Sequence, residues 1–93
     1  MGPEPAAERQ TMTTNLVQSP KGATLRIMDI AGGEGIRRRL FTLGFNVGDE
    51  IELQARGILR GPILVRNVRT GVTAAISRGI AQKIVVEAAV ERP

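Results

Sequence analysis

Ile36-Arg37-Arg38-Arg39-Leu40-Phe41-Thr42-Leu43-Gly44-Phe45-Asn46-Val47-Gly48-Asp49-Glu50-Ile51-Glu52-Leu53 is the stretch that decides the fold of this 93-residue chain. Ile36, Leu40 and Leu43 recur at i, i+4 and i+7, the spacing of one apolar face of a short helix. Gly44 stands where a helix commonly ends on a left-handed residue. Asn46-Val47-Gly48-Asp49 is turn chemistry. The period then changes from 3.6 to 2: Ile51, Leu53 and Ala55 alternate with Glu50, Glu52, Gln54 and Arg56, which predicts a half-buried strand.

Working outward, Ala23 to Ile30 alternates, with Leu25 and Ile27 opposite Arg26, and reads as a strand that Gly32-Gly33-Glu34-Gly35 interrupts before the helix. Downstream, Leu59-Arg60-Gly61-Pro62 turns the chain into Ile63–Val68, and Arg69-Thr70-Gly71 turns it into Val72–Ile76. Ser77 can cap one helical turn reaching about Gln82, and Lys83–Glu87 supplies a last strand. Five short strands, one helix after the first and a helical turn before the last predict a mainly β small barrel. In a barrel the sheet edges close on one another, which protects them from edge pairing. Residues 1–21, with Pro3, Pro5 and Pro20 among polar residues and no sustained periodicity, read as a disordered tail, and 91–93 as a frayed C-terminus. The folded unit is then 22–90, and translation could start at Met1 or Met12.

Composition excludes more than it proposes. There is no cysteine and no histidine, which removes the usual transition-metal ligands and the Ser-His and Cys-His nucleophile pairs. No metal site, cofactor or catalytic residue is expected. Ser77 has a capping role ready to hand, and Glu50 and Glu52 share the polar face of their strand, opposite Ile51 and Leu53, and read as a solvated face rather than an acid–base pair. Gly32–Gly35 lacks the spacing of a nucleotide-binding loop and reads as a strand-to-helix turn. No apolar run is long enough to span a bilayer and no signal peptide is evident. The formal charge is +4, which suits an acidic partner or simply a basic solvated surface. Arg37, Arg38 and Arg39 fan over about 200° of a helix and so form no single patch, though two of them could flank a groove. With no Trp or Tyr, grooves for proline-rich peptides and base-stacking platforms lose ground; Phe41 and Phe45 read as core or core-edge residues.

The quoted helix–turn–strand, I-R-R-R-L-F-T-L-G-F-N-V-G-D-E-I-E-L, resembles the signature of FeoA-type proteins, a helix ending in R-L-x-x-L-G followed by a turn, a glycine and a strand. Gly61-Pro62-Ile63-Leu64-Val65 is similar to the family's G-x-P-I hairpin. Ala75-Ile76-Ser77-Arg78-Gly79-Ile80-Ala81-Gln82-Lys83-Ile84-Val85-Val86 is similar to its closing segment. The resemblance covers about residues 23–87. It implies an SH3-like five-stranded barrel and a cytoplasmic, non-catalytic accessory or regulatory protein of ferrous iron uptake. Such a protein docks on the cytoplasmic GTPase-containing region of a FeoB-type membrane transporter and meets the membrane through that partner.

On this reading Leu40, Leu43, Gly44, Gly48, Pro62 and Ala81 are structural, and Arg37, Arg38, Arg39 and Arg78 are the candidate partner-binding residues. One of the three consecutive arginines could also serve as a finger on a transferring phosphate. The alternative is a nucleic-acid-associated module or an accessory domain of a metal-dependent repressor, since the same barrel occurs there. Nucleic acid is not the expected partner, the chain is not expected to insert in a membrane, and no tight binding of iron is expected.

Overall fold

Alternation becomes a packed interior once the strands pair. The computed structural model describes the backbone of residues 9–91 and the side chains of 11–88. Strand β2 (Thr24–Ile30) turns Leu25 and Ile27 inward, β3 (Glu50–Arg56) Ile51 and Leu53, β4 (Ile63–Asn67) Ile63 and Val65. Ile76 of β5 (Thr73–Ile76) and Ile84, Val86 and Ala88 of β6 (Ile84–Glu91) complete the set, all buried. Two bulges interrupt the period. The register slips between Ile27 and Asp29 and between Leu53 and Ala55. The first slip leaves Met28 and Asp29 both exposed and returns Ile30 to the core, as an extra residue in one strand must.

The sheet has six antiparallel strands in the order β1-β6-β2-β3-β4-β5, not the five expected. The additional strand, β1 (Arg9–Asn15), comes from the stretch read as tail. It pairs with β6 from Arg9 opposite Glu91 to Asn15 opposite Val85. Residues 1–8 and 92–93 of the expected tail and frayed end lie outside the described residues, while 16–21 of that tail are described and carry the buried Leu16 and Ser19. Threonine at 11, 13 and 14 favours extended backbone, but an edge strand whose one apolar residue is Met12, itself exposed, shows no apolar period. Its contribution to the core is delayed to Leu16, in the 3-10 turn Leu16–Gln18 that follows; this residue is fully buried.

Nor does the sheet close as a barrel. Among the described residues β1 pairs only with β6 and β5 only with β4. β5 has four residues, and beside it two helices, α1 (Glu34–Leu43) and α2 (Arg78–Ala81), border a groove. Both helices stand where the sequence places them, before β3 and before the last strand. Gly44 ends α1 at φ 101°, its N–H bonded to the carbonyls of Leu40 and Phe41. A side chain there would strain the backbone and meet Val72 Cγ1 at 3.4 Å. Phe45 follows into the core, but Phe41 is 66% exposed, contrary to its expected place. The reason is angular: Ile36, Leu40 and Leu43 define the inward face, and Phe41 points more than a quarter-turn away from it, at about 100° per residue.

Candidate functional site

Helix α1 carries the arginine run, and both of its ends are fastened. Near the N-terminus the Arg37 guanidinium donates from Nε to the Ile30 carbonyl at 3.1 Å and from Nη2 to Asp29 Oδ1 at 3.3 Å. The bulge in β2 is what puts Asp29 within reach. Arg37 is therefore committed to its own chain, which leaves Arg38 and Arg39 as the arginines of the run that can face a partner. Arg37→Ala is expected to lower stability by about 1 kcal/mol, the scale of a partly exposed charge-assisted bond, as measured by urea unfolding.

At the C-terminal end the fastening is Asn67, a residue sequence reasoning did not single out. It is fully buried. Its Nδ2 donates to the Gly44 carbonyl at 2.9 Å and to Asp49 Oδ2 at 3.1 Å. Its Oδ1 accepts from the N–H groups of Arg69 at 3.0 Å and Thr70 at 3.3 Å. One amide thus ties the end of α1 to the start of β3 and to the β4–β5 turn. A signal was present, since Asn67 follows Ile63 and Val65 at the inward parity of β4, where a polar residue must find partners.

Between these fastenings α1 forms one wall of a groove of about 240 Å³. Arg39, Leu40 and Leu43 line it from the helix, Ala75 and Ile76 from the edge strand β5, and Ser77 and Ile80 from the start of α2. Leu40 and Ile76 are buried and form its floor, while Leu43 is 40% exposed at its rim. Val72, also exposed, continues the apolar surface past Gly44. The Ser77 hydroxyl is occupied, accepting from Ile80 N at 3.4 Å as the cap of α2. The groove thus offers aliphatic surface, one guanidinium and a strand edge with its outer side free. That combination can bind an extended segment presenting an aliphatic side chain and a carboxylate. It contains no nucleophile with a base beside it.

The other sequence-selected residues are spread around the fold. Arg38 is exposed on α1. Arg78 opens α2 with its Nε buried and without a hydrogen-bond partner, and it does not line the groove. Ala81, the last residue of α2, is fully buried. Gly48, at φ 95°, donates its N–H to the Ile27 carbonyl, and the Pro62 carbonyl accepts from Gly57 N in the β3–β4 loop. Of the four arginines, Arg39 alone lines the groove. The solvent face of the sheet alternates Glu87, Arg26 and Glu50 across neighbouring strands. Its Arg26–Glu50 pair at 3.1 Å is half exposed and contributes little. Among the described residues no group of His, Cys, Asp and Glu is placed to hold a metal ion, and no helix is long and apolar enough to cross a membrane.

The chain is similar to a crystallised iron uptake regulatory protein, FeoA, at 28% identity and a TM-score of 0.70, over 81% of this chain and 95% of that one. It is similar to the FeoA protein of Chlorobium tepidum at 25% identity and a TM-score of 0.71, over 81% of this chain and 70% of that one. A manganese-dependent transcriptional repressor shares the fold, with a TM-score of 0.73 at 22% identity; the match covers 82% of this chain and 36% of the repressor. No curated protein matches in sequence. The FeoA domain family model matches residues 14–88, a span that runs from the end of β1 through the groove to β6, and the chain belongs to the FeoA family.

Proposed function

We propose that this protein is an accessory of ferrous iron uptake that docks, through the groove between α1 and β5, on the cytoplasmic GTPase-containing region of a FeoB-type transporter. As a FeoA-family member it is non-catalytic, so its work is contact. The observation that carries the docking site is Leu43. A leucine of the R-L-x-x-L-G segment stands at the rim of an apolar groove, 40% exposed, with an arginine on the same wall and an unpaired strand edge opposite. Aliphatic surface with a guanidinium beside it is a combination that contact with an acidic protein face would bury.

The experiment is a calorimetric titration of the purified chain against the cytoplasmic region of the transporter from the same organism. Binding is expected, and Leu43→Asp should weaken it tenfold or more, the range for a residue at the centre of an interface, measured at a temperature where circular dichroism shows the variant folded. Arg37→Ala should leave affinity within about twofold, because its guanidinium is spent internally. Absence of binding sinks the docking reading; binding that tolerates Leu43→Asp moves the contact to another surface.

A further inference from the structure

The least explained residues of the molecule are Ile58 and Leu59, which are 86% and 92% exposed at the end of the β3–β4 hairpin. Single exposed aliphatics are ordinary, but these two are adjacent and held out by the backbone. Leu59 has φ 57° and ψ 44°, and Arg60 has φ 65°, two successive left-handed residues without a glycine. A turn of that shape ordinarily takes glycine or asparagine, because other L-residues are strained in it. Leu59 gains no burial within this chain that would offset the strain. The neck below it is closed backbone on backbone: Gly57 N donates to the Pro62 carbonyl at 2.8 Å and Gly61 N to the Ile58 carbonyl at 3.1 Å. A Cβ on Gly57 would meet the Pro62 oxygen at 2.7 Å. The tip is therefore a stiff finger that carries its apolar pair away from the core.

Its surroundings are cationic. Arg56 and Arg60 flank the pair, and the segment from 56 to 62 contains no acid. Arg56 is anchored at the base of the finger, donating to the carbonyls of Val17 and Ser19. This brings the exposed Lys21 to the same end, its neighbour Gly22 bonding Leu53. Leu64, 37% exposed on β4, extends apolar surface back from the tip.

From this we propose that the Ile58-Leu59-Arg60 finger inserts its aliphatic pair into the headgroup region of an anionic phospholipid bilayer. A protein pocket is the less favoured occupant. A two-residue projection is far smaller than the roughly 800 Å² per side of a standard interface. Shallow insertion of aliphatic side chains with cations at headgroup level is how peripheral proteins hold to membranes reversibly. This contact is made by the chain itself, at the end of the β3–β4 hairpin, through residues that do not line the docking groove.

Flotation of the full chain with vesicles tests it. No transporter is present, so the outcome is independent of docking on that protein. Vesicles of phosphatidylcholine mixed with phosphatidylglycerol should carry the protein, vesicles of phosphatidylcholine alone should carry much less, and added salt should weaken the association. Combining Ile58→Ser with Leu59→Asn should lower the partition coefficient about tenfold, given the aliphatic area withdrawn from the bilayer. The same variant should melt no lower than the parent, because asparagine tolerates the left-handed conformation. Val47→Ser, which changes an exposed aliphatic near the end of α1, should leave partition unchanged. The proposal is overturned if the parent does not associate with anionic vesicles at low salt, or if the double variant associates equally well. Loss of transporter binding in the double variant, without vesicle binding by the parent, would assign the finger to a protein pocket instead.

Discussion

Asn67→Ala is expected to unfold at a much lower urea concentration than the parent, with a loss of about 3 kcal/mol. For a domain of this size that corresponds to a melting temperature lower by roughly 15 °C. The substitution deletes four part-buried hydrogen bonds at once and leaves the Gly44 carbonyl and the N–H groups of Arg69 and Thr70 short of the partner that the buried amide supplies. Asp49 fares better, because Oδ2 keeps the N–H of Asn46 at 3.0 Å. The cost therefore lies at the end of α1 and in the β4–β5 turn.

Asn67→Asp separates the loss of shape from the loss of the donor. It preserves size and the acceptor for residues 69 and 70 but sets a carboxylate against Asp49 and removes both donated bonds. Burial and the neighbouring charge hold the introduced carboxyl's folded pKa above its unfolded value. Its protonated form is the one that fits, so this variant should regain stability relative to the parent as pH falls through the raised pKa and lose it as pH rises. If Asn67→Ala melts within 1 kcal/mol of the parent, the amide is not the tie described here.

Both helices, and five of the six strands, were legible because each shows its period in a short window: Ile36, Leu40 and Leu43 for α1, and Ile51 and Leu53 for β3. Gly44 and Ser77 marked a helix end and a helix start. What the window could not show was long-range compensation. Among its described side chains strand β1 has one apolar residue, the exposed Met12, and it is held by its ladder to a strand at the other end of the chain. Barrel closure was inferred from strand count, yet the four-residue β5 leaves its outer edge to a groove.

The groove itself was half legible. The R-L-x-x-L-G segment pointed to α1, but the arginine run drew attention to Arg37, which the bulge at Met28 turns into an internal tie. Leu43, expected to be structural, is the residue left at the rim. A bulge shifts every contact beyond it by one residue, and no single-sequence pattern announces where one falls.

Leu16→Ala should be the most damaging single change in the segment that looked like a tail. A loss of about 3 kcal/mol is expected, the range for a fully buried leucine truncated in a tight core. Met12→Ala, on the exposed side of the same segment, should change stability by less than about 0.5 kcal/mol. The contrast matters because a disordered tail predicts no effect from either. The consequence extends to function through geometry. The 3-10 turn that carries Leu16 packs against α2 and β6, and Ser19, buried beside it, holds that turn by donating its hydroxyl to the Leu16 carbonyl at 2.7 Å. Ser77 and Ile80, at the start of α2, form one wall of the groove. Emptying the Leu16 site removes the support behind that wall. On the proposed docking, affinity for the transporter's cytoplasmic region should therefore fall at a temperature where the variant is still folded, although Leu16 does not line the groove. Equal affinity of folded Leu16→Ala and parent would mean that α2 holds its place without the N-terminal segment, and that β1 and its turn contribute stability alone.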